Sequence, residues 1–248
     1  MTANFTFDRA ALSNNVGAMK HAGKARKAAF KMILWTFIAG SVIWGVIFVA
    51  SLVGAVLAMV VWPILLVLWV LFSIFTLYFF RDPNTRAPAG ERLVVSPGHG
   101  KVDVIDTTTE PQFIGGECQR VSMFLSVMNV HVQNAPVSGK VSFFKYTTGQ
   151  FINALRTESA VHNENALLGF ETTGAAAQKV GVRLIAGVIA RRIVPFVQAG
   201  DEVKCGDRIS LIQFGSRVDV YLPLTAAIRV KIGDAVVGGE TILAELAA

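Results

Sequence analysis

Charge is what this sequence has least of. Asp, Glu, Lys and Arg make up 16% of its 248 residues against 53% hydrophobic, and from Ile33 to Phe80 there is no charged residue at all. That balance lies on the membrane side of ordinary globular usage. Cysteine is scarce as well: Cys118 and Cys205 stand alone, with neither metal-ligand spacing nor a disulfide framework. A reducing compartment is compatible with this, and no metal is expected. The net charge of +6 is small, and much of it flanks the apolar block. Anionic membrane lipid is therefore the favoured partner, and with no nucleic-acid motif in the chain, nucleic acid is not. There is no Gly-x-Ser-x-Gly elbow of a conventional serine hydrolase. Nor is a lysine presented in a Met-Lys-Met string, as a biotin or lipoyl carrier would require.

The uncharged block is long enough for two spans, since one spanning helix needs about 20 apolar residues. Gly54 with its small neighbours offers a turn between them, and Trp62-Pro63 offers a second turn or a kink. Before the block, Lys20, Lys24, Lys27 and Lys31 recur at spacings of four, three and four, one face of a helix. Such a helix either lies on an anionic leaflet, at about 1 kcal/mol per near-surface charge, or serves only to fix topology. The apolar stretch after it is too long for a cleavable signal. Arg81, Arg86 and Arg92 follow the block, so both ends are basic and the positive-inside tendency puts both in the cytoplasm. The expected organisation is a basic juxtamembrane helix over 1–32, a two-helix transmembrane hairpin over 33–80, and a β domain over 81–248.

Beyond Arg81 the chain turns to Gly, Pro, Thr and short β-rich runs, with one helical stretch expected over Phe151–Ala166. Two internal echoes stand out. Ser96-Pro97-Gly98-His99-Gly100-Lys101-Val102 resembles Ala135-Pro136-Val137-Ser138-Gly139-Lys140-Val141, and the Gly-Asp turn at 200–207 resembles the one at 233–240. Turn chemistry repeated between short strands predicts a mainly β sandwich or barrel-like domain built from related halves, with few helices.

The most informative stretch runs from Leu211 to Pro223. Strand-like arms flank Gly215-Ser216, a tight bend or bulge with a hydroxyl at its crest. Its bland reading is a hairpin turn. The longer string Phe214-Gly215-Ser216-Arg217-Val218-Asp219 with Tyr221-Leu222-Pro223, however, resembles the self-processing signature of the short, membrane-anchored phosphatidylserine decarboxylases. Further likenesses are Phe80-Arg81-Asp82-Pro83, Asn129-Val130-His131-Val132, Ala135-Pro136-Val137-Ser138-Gly139 and Ala186–Ile193, so that the resemblance covers residues 80–224. It implies a proenzyme that cuts itself between Gly215 and Ser216 into a β chain (1–215) and an α chain (216–248). Ser216 would become a pyruvoyl cofactor, which takes the amine of phosphatidylserine as a Schiff base for decarboxylation to phosphatidylethanolamine. The location it implies is the bacterial inner membrane, catalytic domain on the cytoplasmic side.

Self-cleavage needs Ser216 as nucleophile, a base, and donors for an oxyanion. A histidine among valines is ordinarily structural, but the resemblance to the Asn-Val-His segment makes His131 the base, and an acid in turnover. In the family an aspartate in a Pro-Ala-Asp-Gly-like segment orients the histidine, whereas this chain has His99 there. An imidazole is no permanent anion at pH 7, so a slow-processing or trapped proenzyme is expected. Asp103 lies nearby as a substitute. For the substrate's phosphate and carboxylate, Arg81, Lys140 and Arg217 are the candidates; Arg191-Arg192 serve phosphate or the surface. A homodimer is the default oligomer. The competing reading is a non-catalytic, membrane-tethered barrel-sandwich adaptor.

Overall fold

In the computed structural model, which describes residues 24–150, 162–173, 177–187, 192–213 and 215–247, the chain divides after Leu71 into two units. Helix α1 (Lys24–Val56) passes through a π turn, Leu57–Val61, into α2 (Trp62–Phe79). Ala29–Phe79 is thus one unbroken, predominantly apolar helix of 51 residues, with a mean hydropathy of 2.7 over an 18-residue stretch. Its length and composition are compatible with membrane anchoring.

This corrects the expected hairpin: neither Gly54 nor Trp62-Pro63 reverses the chain. No charged residue or Asn interrupts the run from Ile33 to Phe79, so in an apolar solvent its backbone groups are best paired by staying helical. A proline inside a helix cannot serve the carbonyl four residues back. Here that residue is Met59, inside the π turn, where Trp62 N–H reaches back five residues to Leu57 O and carries the helix past the missing donor. Thr36, Ser41, Ser51 and Thr76 fold their hydroxyls onto carbonyls one turn back, as an apolar solvent demands. At 1.5 Å per residue the helix measures about 77 Å, more than twice a hydrocarbon core of about 30 Å. The basic stretch up to residue 23 lies outside the described residues.

The second unit is β. In the first half of the chain order lie β1 (Leu93–Val95), β2 (Gly100–Glu110), β3 (Gly116–Leu125), β4 (Val132–Asn134), β5 (Gly139–Thr147), β6 (Asn165–Thr172) and β7 (Lys179–Ala186). There follow β8 (Arg192–Pro195), β9 (Glu202–Val203), β10 (Arg208–Gln213), β11 (Ser216–Leu222), β12 (Ala227–Ile228), β13 (Ala235–Val236) and β14 (Ile242–Glu245). Eight of them form a sheet in the order β13-β2-β3-β11-β7-β6-β5-β9, flanked by two three-stranded sheets, β1-β14-β12 and β4-β10-β8. Of the helix expected over Phe151–Ala166, residues 151–161 lie outside the described ones. Asn165 and Ala166 open β6 instead, because their neighbours are already in register with β5 and β7.

The internal echoes are structural repeats. β2–β3 and β5–β6 are antiparallel pairs, each with a bulge near its start, at Val102/Val104 and Val141/Phe143. Each pair begins on a glycine. A Cβ on Gly100 would fall 2.4 Å from Phe124 O, and one on Gly139 2.0 Å from Glu171 O, so the backbones meet only where no side chain intervenes. Each is closed by a Gly-Asp turn: Val102 N–H donates to Asp234 O at 2.9 Å and Val141 N–H to Asp201 O at 2.8 Å. The core between the sheets is apolar, with Val121, Met123, Leu125, Leu168, Phe170, Leu184, Val218 and Val220 all buried.

The bland hairpin reading of Gly215-Ser216 fails. β10 pairs with β4 and β8, whereas β11 pairs with β3 and β7. The dipeptide is a corner where the chain leaves a small sheet and enters the middle of the large one. Gly215 takes φ +70° there, a conformation costly for any residue with a Cβ.

Candidate active site

Ser216 is the first residue of β11, paired in register with Leu125 on one side and Ala186 on the other. It is 0% exposed, and its Oγ has no hydrogen-bond partner among the described residues. Burying a hydroxyl without a partner costs roughly 1–3 kcal/mol, so this group is poorly accounted for by stability. The carbonyl just before it, Gly215 O, accepts the Gly187 N–H at 3.0 Å. Asn163 braces that donor from behind, giving its Nδ2 hydrogen to Ala186 O at 2.7 Å.

His131 reaches the same corner from the opposite direction. A turn precedes it, in which Ser126 N–H and Oγ both donate to Asn129 Oδ1. The imidazole Nδ1 lies 2.9 Å from Asn129 O, a pure acceptor, so Nδ1 carries the proton and Nε2 presents a lone pair. Gly215 N–H donates to that Nε2 at 3.3 Å. The ring is buried and stacks on Phe79, centroids 4.2 Å apart. Burial, with Arg81 and His99 adding repulsion, outweighs the Asn129 carbonyl and pulls its pKa down to about 4. His131 is thus neutral at physiological pH, with its basic nitrogen one residue upstream of Ser216.

His99 follows the Ser96–Gly98 turn and packs against the second Gly-Asp turn: a Cβ on Gly238 would meet its ring at 2.9 Å. In the related half Ser138 takes this place, and its Oγ accepts the Cys205 N–H at 2.9 Å. Burial lowers the His99 pKa, Arg81 lowers it further, and Glu240 opposes them. His131 therefore sits within the field of His99 and of Arg81, with no carboxylate on the base among the described groups that act on it.

The remaining candidates separate. Arg81 lies at the site: it covers the Tyr78 ring at 3.9 Å and donates to Tyr78 O and Met128 O. Lys140 is exposed on β5 opposite Glu171 and Glu202, in the other half. Arg217 alternates with Ser216 to the opposite face of β11, where Nε donates to Asp219 Oδ1 at 3.1 Å and a terminal nitrogen to Asp103 Oδ2 at 2.7 Å. Asp103 is thereby engaged away from His131. Arg191 lies outside the described residues. Arg217 and Asp219 are both buried, so removing the cation strands a carboxylate. Arg217→Ala is expected to destabilise the domain by about 3–5 kcal/mol, read as a drop in denaturation midpoint; an unchanged midpoint would refute the pairing.

Three participants escaped sequence reasoning: the Asn129 carbonyl, the Gly187 N–H and Phe79. The first two are backbone groups and carry no side-chain signal. Phe79 reads in sequence as one more apolar residue of the helix.

A family model described as phosphatidylserine decarboxylase matches residues 72–244. Among curated relatives named phosphatidylserine decarboxylase proenzyme, that of Desulfotalea psychrophila is 44% identical over 74% of this chain and 85% of its own. The one from Ruegeria pomeroyi is 40% identical over 77% and 88%. That of Symbiobacterium thermophilum is 42% identical over 80% and 92%.

Proposed function

Because the chain belongs to the phosphatidylserine decarboxylase family, we propose that it cuts itself before Ser216 and then decarboxylates phosphatidylserine to phosphatidylethanolamine. The observation that carries this reading is the buried, unpartnered Ser216 hydroxyl beside a carbonyl that already holds a backbone donor.

His131 Nε2 takes the Ser216 proton, and Oγ attacks the Gly215 carbonyl carbon. Gly187 N–H stabilises the oxygen as negative charge grows on it, an arrangement worth roughly 10²–10³ in rate for one donor. His131, now protonated, gives its proton to the departing Ser216 nitrogen, leaving an ester. Loss of the Ser216 Cα proton then expels the Gly215 carboxylate. Tautomerisation and hydrolysis of the resulting dehydroalanine release ammonia and leave a ketone at residue 216. Residues 1–215 become the β chain and 216–248 the α chain. Ser122 and Ser142 also bury hydroxyls without a partner among the described residues; what distinguishes Ser216 is that its hydroxyl adjoins a carbonyl already held by the Gly187 N–H. The pyruvoyl group supplies an electron sink for the bond to the departing carbon dioxide. His131 is suited to deliver the proton that replaces it, since its neutral form accepts and its charged form donates.

Arg81 is the residue suited to the headgroup. Among the described residues it holds the one guanidinium whose charge bears on both histidines, and it follows directly on the apolar helix, where a diacyl lipid presents its phosphate. A lipid left in its bilayer spares about 0.8 kcal/mol for every methylene that would otherwise meet water. The basic residues Arg81, Arg86 and Arg92 after the helix support contact of this end with anionic lipid. A seat on the cytoplasmic face of a bacterial inner membrane rests on the family resemblance, because with one unbroken helix the basic residues at its two ends oppose each other in fixing the side. Arg81→Ala is expected to raise KM for phosphatidylserine vesicles about tenfold, the worth of one charge-assisted hydrogen bond, with a smaller fall in kcat. An unchanged KM would assign the headgroup elsewhere.

His99 in place of a carboxylate makes maturation slow, because nothing anionic steadies the imidazolium that forms on His131. Denaturing electrophoresis with time, paired with carbon dioxide release from labelled lipid, tests the whole reading. Fragments of 215 and 33 residues and coupled gas release are expected; an intact chain that nonetheless releases carbon dioxide would overturn it.

A further inference from the structure

The final residue of the apolar helix does not behave like the rest of it. Trp69, Phe72, Leu77 and Tyr78 are exposed, as lipid-facing residues are, whereas Phe79 is 0% exposed and is the buried residue of α2. Its ring lies against His131 at 4.2 Å between centroids, 29° from parallel. Phe80 meets its edge at 5.0 Å and Phe75 lies at 6.1 Å, which keeps the ring from turning away. Two residues on, Arg81 donates to Met128 O at 2.7 Å, next to the Asn129 whose carbonyl holds His131 Nδ1. The end of the helix therefore grips the 126–131 turn twice, by a flat ring and by a guanidinium.

That geometry complements the hydrogen bonds of His131. Both ring nitrogens are engaged in the imidazole plane, Nδ1 by Asn129 O and Nε2 by Gly215 N–H. Such contacts resist in-plane displacement but leave a rocking motion about the ring's long axis, and a flat hydrocarbon face suppresses that motion. It also excludes water from one side of the ring.

We propose that Phe79 is a positioning residue for His131, so that the last turn of the membrane helix forms one wall of the active site and fixes the plane and tautomer of the base. This rests on the reading of His131 as base in self-cleavage. Unwinding the helix end over Phe72–Phe79, within the same unit as His131, would disarm the base without touching Ser216.

The experiment uses the full chain in lipid nanodiscs with 15N-labelled histidine, of which the sequence has four. Phe79→Met keeps the volume but loses the flat face; Phe79→Tyr keeps the face; Phe37→Leu, on an exposed part of the helix, is the control. In the native chain the His131 signals should report a single Nδ1–H tautomer that resists protonation well below pH 6. The charged groups facing it are Arg81 and His99, with Glu240 acting on His99 from the second Gly-Asp turn. Phe79→Met should mix the tautomers, move protonation toward the ordinary histidine range, and slow self-cleavage at least tenfold. Phe79→Tyr should restore tautomer and rate, and Phe37→Leu should change neither. Unchanged nitrogen shifts in Phe79→Met, or mixed tautomers with an unchanged cleavage rate, would overturn the positioning role. If His99→Asp, which should relieve slow maturation, shows the single tautomer but never cleaves, the base assignment fails while the hold of Phe79 on the ring stands. Circular dichroism of each variant separates these outcomes from misfolding.

Discussion

Ser216→Ala leaves a single 26.7 kDa chain under denaturing conditions and no carbon dioxide release from phosphatidylserine. The loss is complete rather than partial because one oxygen serves twice. In the proposed mechanism it is the nucleophile that breaks the peptide bond between Gly215 and Ser216, and its later loss as the leaving carboxylate gives the dehydroalanine that hydrolyses to the ketone needed for turnover. Alanine removes both and disturbs little else, since the Ser216 Oγ has no hydrogen bond to lose. Stability should therefore hold or rise slightly, by up to about 1 kcal/mol, as an unsatisfied buried hydroxyl disappears. The combination of unchanged or higher melting temperature and total inactivity separates a chemical role from a structural one. Continued cleavage at residue 215 in the alanine chain would end the proposal.

His99→Asp accelerates self-cleavage, by about 10², a fraction of what an orienting carboxylate contributes in a triad. His131 is available at pH 7 but weakly basic, held near 4 by burial and by two neighbouring cationic or protonatable groups. A carboxylate at residue 99 replaces repulsion with attraction, and an opposite charge at short range raises such a pKa by 1–3 units. Each unit returns about 1.4 kcal/mol of driving force for taking the Ser216 proton. The pH profile gives the sign independently. With neutral imidazole as the proposed base, cleavage in the native chain is expected to persist at neutral pH and to be lost as pH falls toward 4. In His99→Asp the fall-off should move up toward 6, so the variant gains most at pH 7 and least at pH 5. Equal rates across that range would show that residue 99 does not act on the base.

How far the sequence disclosed this protein depends on which forces were local. The β domain and its paired halves were legible because glycines at 100 and 139 and aspartates at 201 and 234 mark positions where backbones must meet or turn. His131 and Ser216 were singled out from the family resemblance, and the structure places the Gly215 N–H, next to Ser216, on His131 Nε2. The hairpin was misjudged because charge at both ends argued for two spans, while nothing within the block opposes continuing a helix, and the π turn at Leu57–Val61 absorbs Pro63. Gly215-Ser216 looked like a hairpin tip because strand arms flank it; which sheet each arm joins is decided by long-range pairing. Arg217 is a surface-like residue by type, yet Asp103 and Asp219 draw it inside. The orientation of His131 depends on one carbonyl and one aromatic face, neither of which spacing can announce.

The placement of β11 has a consequence for the life of the matured protein. This strand is laced on both flanks, to β3 and to β7, and the residues after it supply β12, β13 and β14 to two sheets. A nick before Ser216 would thus sever the polypeptide without freeing either piece. The short fragment could depart only if the whole domain came apart. Native mass and shape should be blind to maturation, and the two products should never exchange partners between molecules; once separated by denaturant, they would have lost the continuity that first threaded one through the other.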